Sequence, residues 1–143
     1  MHIEKKMKTQ VHTVKPQDTV AHARALIEEH RINQLPVVQN RKLVGIVTDR
    51  DLRDARNVVE TATSDASHAH HEAPQANKIP VEAVMTTNVL TLGSADTIVE
   101  AARMMRRERI GGVPIIDNGA LVGIITRSDI LDAFIELNNQ KPT

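Results

Sequence analysis

Two short segments of the sequence place a glycine, a threonine and an aspartate at the same spacing. They read Gly45-Ile46-Val47-Thr48-Asp49-Arg50-Asp51 and Gly123-Ile124-Ile125-Thr126-Arg127-Ser128-Asp129. In each, an apolar strand ends at the threonine, and the aspartate follows three positions later on a new helix. A helix N-terminus holds phosphate, a threonine hydroxyl adds a hydrogen bond to it, and a carboxylate accepts from both hydroxyls of a ribose. Together these groups are suited to a nucleotide half-site in each segment, where the glycine lets another group approach the strand closely.

The same residues also fit a purely structural role. A threonine followed three residues later by an acidic residue, ahead of an apolar run, is a capping box. Its hydroxyl oxygen accepts from a first-turn N–H, and the carboxylate lies favourably near the positive helix end. On spacing alone this capping interpretation is favoured, and the two interpretations are compatible because a ligand can displace or share a cap.

Both segments belong to an internal repeat with an offset of 78 residues. From Met7 to Ala55, about 19 of the 49 positions are identical to their partners without a gap. The repeats span 7–59 and 81–138, and the polar segment between them, 60–80, lacks a hydrophobic period and is predicted to be a linker or exposed loop. The sequence therefore contains two copies of one unit.

Each copy is predicted as strand, helix, strand, strand, helix, an α/β (α+β) arrangement. In the first copy, β-branched alternation predicts a strand over 11–14, Asp18 is the predicted cap of the first helix, and the strands cover 35–38 and 43–47. Asp117-Asn118-Gly119 predicts the hairpin turn of the second copy. A unit of this size cannot bury both sheet faces alone, so we expect the copies to pack about a pseudo-twofold axis with a cleft between them.

The order of these segments resembles the CBS (cystathionine β-synthase) domain pair, also called the Bateman module, over nearly the whole chain. The resemblance rests on Asp18-Thr19-Val20, His30-Arg31-Ile32, Leu35-Pro36-Val37-Val38 and the segment from Val44 to Asp51. The segment Thr48-Asp49-Arg50-Asp51-Leu52-Arg53-Asp54-Ala55 and the run Phe134-Ile135-Glu136-Leu137 are similar to the CBS part of acetoin-utilisation regulatory proteins. Those proteins usually carry a further C-terminal ACT domain, and since the sequence ends at Thr143 we expect that domain to be missing.

The resemblance implies an adenosine-type ligand in the cleft: AMP, ADP or ATP, with NAD and S-adenosylmethionine as further options, and no required cofactor. It implies ribose contacts from Asp51 and Asp129, and phosphate contacts from Thr48 and Thr126. Basic groups expected near phosphate are Arg31, Arg109 and Arg50, with an exposed helix-end cation as the alternative role of each. The expected adenine-lining positions are Gln34, Pro36, Gly112 and Pro114, with Thr13 and Thr91 close by.

Composition narrows the function classes. The sequence has no cysteine, and its 18 basic residues equal its 18 acidic residues, which argues against a nucleic-acid partner. Phe134 is the only aromatic residue, so base-stacking platforms of aromatic side chains are excluded. The sequence shows neither a nucleophile with its base nor a membrane-length apolar run nor a signal peptide. We therefore expect a cytoplasmic protein that is not an enzyme.

Two questions, whether the histidines bind a metal and whether the protein binds a ligand, each have two possible answers at this point. His68, His70 and His71 form a possible chelating group in the predicted linker, but a flexible polar loop is favoured, and no metal site is expected. The principal function expected is a ligand sensor acting on an unidentified regulated protein. The alternative is a ligand-free dimerisation scaffold, since the resemblance also implies a homodimer.

Overall fold

The computed structural model describes residues 1–62 and 77–139, and of residues 56–62 it describes the backbone only. The chain forms two compact units. One is His12–Val89, and the other combines Met1–Val11 with Leu90–Thr143. The described part contains four α-helices and two antiparallel two-stranded sheets, which confirms the α+β class and the repeated unit.

The unit His12–Val89 contains helix α1 (Val20–His30), strands β1 (Gln34–Gln39) and β2 (Lys42–Thr48), and helix α2 (Asp49–Ala62). The hairpin turn uses Asn40 and Arg41, whose φ angles are 52° and 65°. Two successive residues at positive φ match the twist of the strands that they connect. The helix α1 buries Val20, Ala23 and Ile27, as its apolar spacing predicted, and packs against β1 and α2.

The second unit repeats this order with α3 (Ile98–Glu108), β3 (Gly112–Asp117), β4 (Ala120–Thr126) and α4 (Arg127–Asn139). Its hairpin turn, Asn118 and Gly119, also has positive φ at both residues, as the sequence predicted. The core of this unit is formed by Ile3, Ile98, Ala101, Met105, Val113, Ile115, Ile125 and Ala133.

The first strand of each copy was predicted too long. In place of a strand over 11–14, Val14 forms a single parallel bridge with Val37, and Leu92 forms the same bridge with Ile115. Val14 donates to the Pro36 carbonyl, and Val38 donates back to Val14. The neighbouring rungs would need N–H groups from Pro36 and Pro16, which proline lacks, so the ladder stops after one residue.

The predicted cap of the first helix is also corrected. Thr19, and not Asp18, is the N-cap of α1, because its hydroxyl oxygen accepts from the His22 N–H at 3.1 Å. Asp18 instead accepts from the Lys15 N–H at 2.8 Å and closes the turn before the helix. Thr97 repeats the cap on α3, where Glu100 completes a capping box.

Each unit is completed by a short 3₁₀ turn that lies, in sequence, at or next to the start of the other repeat. The 3₁₀ turn Ile3–Lys5 joins the second unit, where Ile3 is fully buried and donates to the Asp96 carbonyl. The equivalent turn Val81–Ala83 joins the first unit, where Val81 donates to the Asp18 carbonyl. Sequence similarity and packing therefore divide the chain at different places.

Most of the predicted linker, including His68, His70 and His71, lies outside the described residues. At its start, α2 continues to Ala62, and at its end Pro80 forms a bridge with Thr19. Within the described ranges, no helix is long and apolar enough to cross a membrane.

Candidate functional site

The candidate site of the first unit lies where β1 begins and β2 ends. Gln34 pairs with Thr48 across the hairpin, and the Asp49 N–H donates to the Asn33 carbonyl at 3.1 Å. The bridge of Val14 places Thr13 next to the strand position of Pro36. The fold therefore brings the predicted residues of three chain segments to one end of the hairpin.

Thr48 and Asp51 form a reciprocal pair of hydrogen bonds. The Thr48 N–H donates to Asp51 Oδ2 at 3.0 Å, and the Asp51 N–H donates to Thr48 Oγ1 at 3.1 Å. This is the capping box that the spacing predicted, and both side chains are half-buried. With respect to the described residues the Thr48 hydroxyl acts only as an acceptor, so its proton stays available for a ligand.

The equivalent pair in the second unit is arranged differently. Asp129 Oδ2 accepts from the Thr126 N–H at 2.8 Å and from the Thr126 hydroxyl at 3.0 Å. Its Oδ1 accepts from Lys8 Nζ at 2.5 Å. Asp129 is 4% exposed, and this ion pair was missed because nothing in local sequence connects Lys8 with a residue 121 positions away. The 78-residue repeat gives no signal for it either, since it aligns Lys8 with an uncharged residue, Thr86.

The glycines of the two segments accommodate the chain itself. A Cβ at Gly123 would lie 2.7 Å from Met7 Sδ and 2.9 Å from the Lys8 carbonyl oxygen. A Cβ at Gly45 would lie 2.5 Å from Met85 Sδ. The expectation that another group approaches the strand closely at these glycines is therefore confirmed, and in both units that group is a methionine with its adjoining backbone.

The predicted basic residues lie at helix ends. Arg31 and Arg109 end α1 and α3 in the left-handed conformation, with φ of 53° and 57°. Both are exposed, as is Arg50 in the first turn of α2. Arg109 lines a groove of about 410 Å³ between α3 and α4, and Thr126 and Asp129 are not among the lining residues, which are Ala102, Met105, Arg106, Arg109, Arg127, Ile130 and Leu131.

The expected adenine-lining positions differ in exposure. Pro36, Gly112 and Pro114 are buried within the hairpins, and Gln34 is half-buried opposite Thr48. Gly112 pairs with Thr126 in the same register, so this geometry is repeated in the second unit. Thr13 and Thr91 are exposed beside the first strand positions.

Two further acidic groups lie near the ends of the hairpins. Asp49 forms an exposed ion pair with Arg53, with 3.3 Å between the carboxylate and Nε, one helical turn away. Asp117 accepts from the Ser94 hydroxyl at 2.5 Å and from the Ser94 N–H at 3.0 Å. The hydroxyl bond first, and then the N–H bond, lower the pKa of Asp117 below 3.8. In the part of the chain that the structure covers, no three His, Asp or Glu side chains group to hold a metal ion.

Comparison with known proteins assigns the family. The model of the CBS domain matches residues 2–57 and 81–136. The chain belongs to the CBS domain family. A CBS domain-containing protein of Dictyostelium discoideum is 32% identical over 145 residues, which cover 98% of this chain and 95% of that protein. Inosine-5′-monophosphate dehydrogenase of Korarchaeum cryptofilum is 36% identical over 119 residues. The matched part is 82% of this chain but only 21% of the enzyme.

Solved structures show the same fold. A proposed acetoin utilization protein (AcuB) from Vibrio cholerae is 31% identical, with a TM-score of 0.79, over 99% of this chain and 98% of that one. CBSX2 of Arabidopsis thaliana in complex with AMP is 26% identical, with a TM-score of 0.78, over 96% and 98%. The CBS pair of MJ0100, in complex with 5′-methylthioadenosine and S-adenosyl-L-methionine, is 27% identical, with a TM-score of 0.76, over 96% and 98%.

Proposed function

We propose that this CBS pair is a regulatory module that binds an adenosine-type nucleotide of the AMP, ADP or ATP class at the N-terminus of α2. The observation that carries the proposal is the reciprocal pair of Thr48 and Asp51, which leaves a hydroxyl proton and most of a carboxylate free for a ligand. The adenosine compounds bound by CBSX2 and MJ0100 support the ligand class.

In this proposal the Asp51 carboxylate accepts hydrogen bonds from the ribose hydroxyls, and the Thr48 hydroxyl donates to phosphate. Arg31, at the end of α1, and Arg50, in the first turn of α2, are exposed and supply the positive charge that phosphate requires. Gln34, opposite Thr48, contacts the adenine together with the backbone before Pro36 and with Thr13 nearby. The equivalent positions of the second unit are Thr126, Asp129, Arg109, Gly112, Pro114 and Thr91. The predicted cleft between the repeats stays a prediction.

We assign the chain no catalytic step and no required cofactor. A bound nucleotide regulates a partner only by its different affinities for two arrangements of the protein. Because the binding residues lie on strands, helix ends and loops around one end of each hairpin, a ligand there adds contacts that favour one arrangement. The regulated protein would be one that binds the favoured arrangement more tightly than the other.

Thermal unfolding with and without nucleotide tests the proposal. A ligand at 100 times its Kd adds about 2.7 kcal/mol to the free energy of unfolding. The substitution Asp51→Ala should remove the increase in Tm that AMP causes, measured against the variant's own ligand-free Tm. Asp54→Ala, which removes an exposed carboxylate from the same helix, is the matched control and should keep that increase. If the unchanged protein shows no increase with AMP, ADP, ATP, NAD or S-adenosylmethionine, the proposal is wrong.

A second candidate function is dimerisation without a ligand, and an exposed apolar face favours it. Leu131, Phe134 and Ile135 follow the spacing of one face of α4 and are 62%, 64% and 55% exposed. Large apolar side chains grouped on a surface mark interaction sites, and we propose a second copy of this chain as the partner. Light scattering should give twice the mass of one chain, and Phe134→Asp should give the mass of one; a single-chain mass before substitution would contradict the dimer.

A further inference from the structure

The two carboxylates proposed to hold ribose differ in how many of their acceptor sites are already used. An ionised carboxylate offers about four lone-pair sites. Among the described residues, Asp51 uses one of them, for the Thr48 N–H. Asp129 uses three, for the Thr126 N–H, the Thr126 hydroxyl and Lys8 Nζ. Two ribose hydroxyls need two acceptor sites, so Asp51 has room for both and Asp129 does not.

Lys8 is held in place by backbone hydrogen bonds. The Lys8 N–H donates to the Ile124 carbonyl at 2.9 Å, and the Ile124 N–H donates back to Lys8 at 2.9 Å. This bridge places Lys8 beside β4, from which its ammonium group reaches Asp129. In the first unit, Thr86 forms the same bridge with Ile46, at 2.8 and 2.9 Å. The two copies therefore differ at this position by the side chain and not by the backbone.

The charges of Asp129 and Lys8 add to the difference between the two copies. The Asp129 side chain is 6% exposed and that of Lys8 is 54% exposed, so the ammonium group compensates the charge of a nearly buried carboxylate from the solvent side. Neutral ribose hydroxyls in place of that ammonium would leave the buried charge uncompensated. The threonines differ as well, because the Thr126 hydroxyl already donates to Asp129, whereas among the described residues the Thr48 hydroxyl acts only as an acceptor.

We propose that Lys8 closes the second unit to ribose, so that each chain binds one adenosine-type ligand, at Asp51. The inference rests on the proposed function and assigns a number of sites to it. Lys8 acts through Asp129 as a positioning residue: it holds the carboxylate in an ion pair and so determines which copy accepts a sugar. In the first copy the equivalent residue, Thr86, has no ammonium group to pair with Asp51, so the Asp51 carboxylate can accept ribose hydroxyls.

Isothermal titration of the full chain with AMP tests this assignment by exchanging the two residues. The unchanged protein should bind one AMP per chain, and Lys8→Thr should bind two. Thr86→Lys should weaken the first site about tenfold or more, the effect of losing one hydrogen bond to a charged group. Lys6→Thr is the matched control, because it removes a lysine of the same segment, paired with Glu136 on α4, and should leave one site.

The outcomes separate this inference from the proposed function. If the unchanged protein binds one AMP, Asp51→Ala abolishes it and Lys8→Thr still binds one, the function stands and the role of Lys8 is wrong. Two equal sites in the unchanged protein also overturn the role of Lys8. If neither protein binds AMP, ADP, ATP, NAD or S-adenosylmethionine, both proposals fail. Should Lys8→Thr not fold, Thr86→Lys decides alone, since it removes no existing ion pair: unchanged AMP affinity would overturn the inference.

Discussion

Substitution of Gly123 by alanine tests the packing that holds Lys8 beside β4. The added Cβ would lie 2.7 Å from Met7 Sδ and 2.9 Å from the Lys8 carbonyl oxygen. The methionine can rotate, but the carbonyl oxygen accepts from the Ile124 N–H at 2.9 Å and cannot retreat without weakening that bond. Extra atoms in a packed site of this kind cost about 1–3 kcal/mol.

A change of 1 kcal/mol moves Tm by roughly 2–4 °C in a chain somewhat longer than this one, so Gly123→Ala should lower Tm by about 2–12 °C. Far-ultraviolet circular dichroism during heating measures this. Gly93→Ala is the matched control, because its nearest neighbour, Asp117 Oδ1, would lie at an ordinary 3.4 Å. If Gly123→Ala melts with the unchanged protein, or if both variants lose the same Tm, the close approach of the Met7–Lys8 segment is refuted.

Three further predictions concern the core, a helix cap and a titrating group. Leu35→Ala empties a fully buried position and should cost about 2–5 kcal/mol in urea unfolding; a loss below 1 kcal/mol would contradict its burial. Thr97→Ala removes the oxygen that caps α3 and should cost about 1 kcal/mol, and no loss would contradict the capping box with Glu100. Ser94→Ala should raise the pKa of Asp117 toward 3.8 in an NMR titration. Because the pKa of Asp117 is lowered in the folded protein, the stability that its ionised carboxylate contributes is present above the unfolded pKa and is lost as the pH falls through the folded value. An unmoved pKa in Ser94→Ala would refute the Ser94 contacts.

The sequence predicts the regular elements well because each has a local cause. The apolar spacing of Val20, Ala23 and Ile27 predicts a buried helix face, and the turn residues Asn118 and Gly119 predict a hairpin. The capping pair Thr48 and Asp51 also follows from local spacing, since its hydrogen bonds join residues three apart.

The contacts that sequence reasoning missed join distant parts of the chain. The segment around Met7 and Lys8 follows no local pattern that assigns it to β4, so the ion pair with Asp129 and the true neighbour of Gly123 were not predicted. The single bridge at Val14 was overestimated as a strand, because β-branched alternation predicts a strand without counting the N–H groups that prolines remove from its partners.

A crystal structure of the protein grown with AMP tests the central claim most directly. The account predicts a nucleotide at the N-terminus of α2, with both ribose hydroxyl oxygens at hydrogen-bonding distance, about 2.5–3.0 Å, from the Asp51 carboxylate. It also predicts that Lys8 remains on Asp129. A nucleotide whose ribose contacts neither Asp51 oxygen, or one bound only at Asp129, would contradict the account.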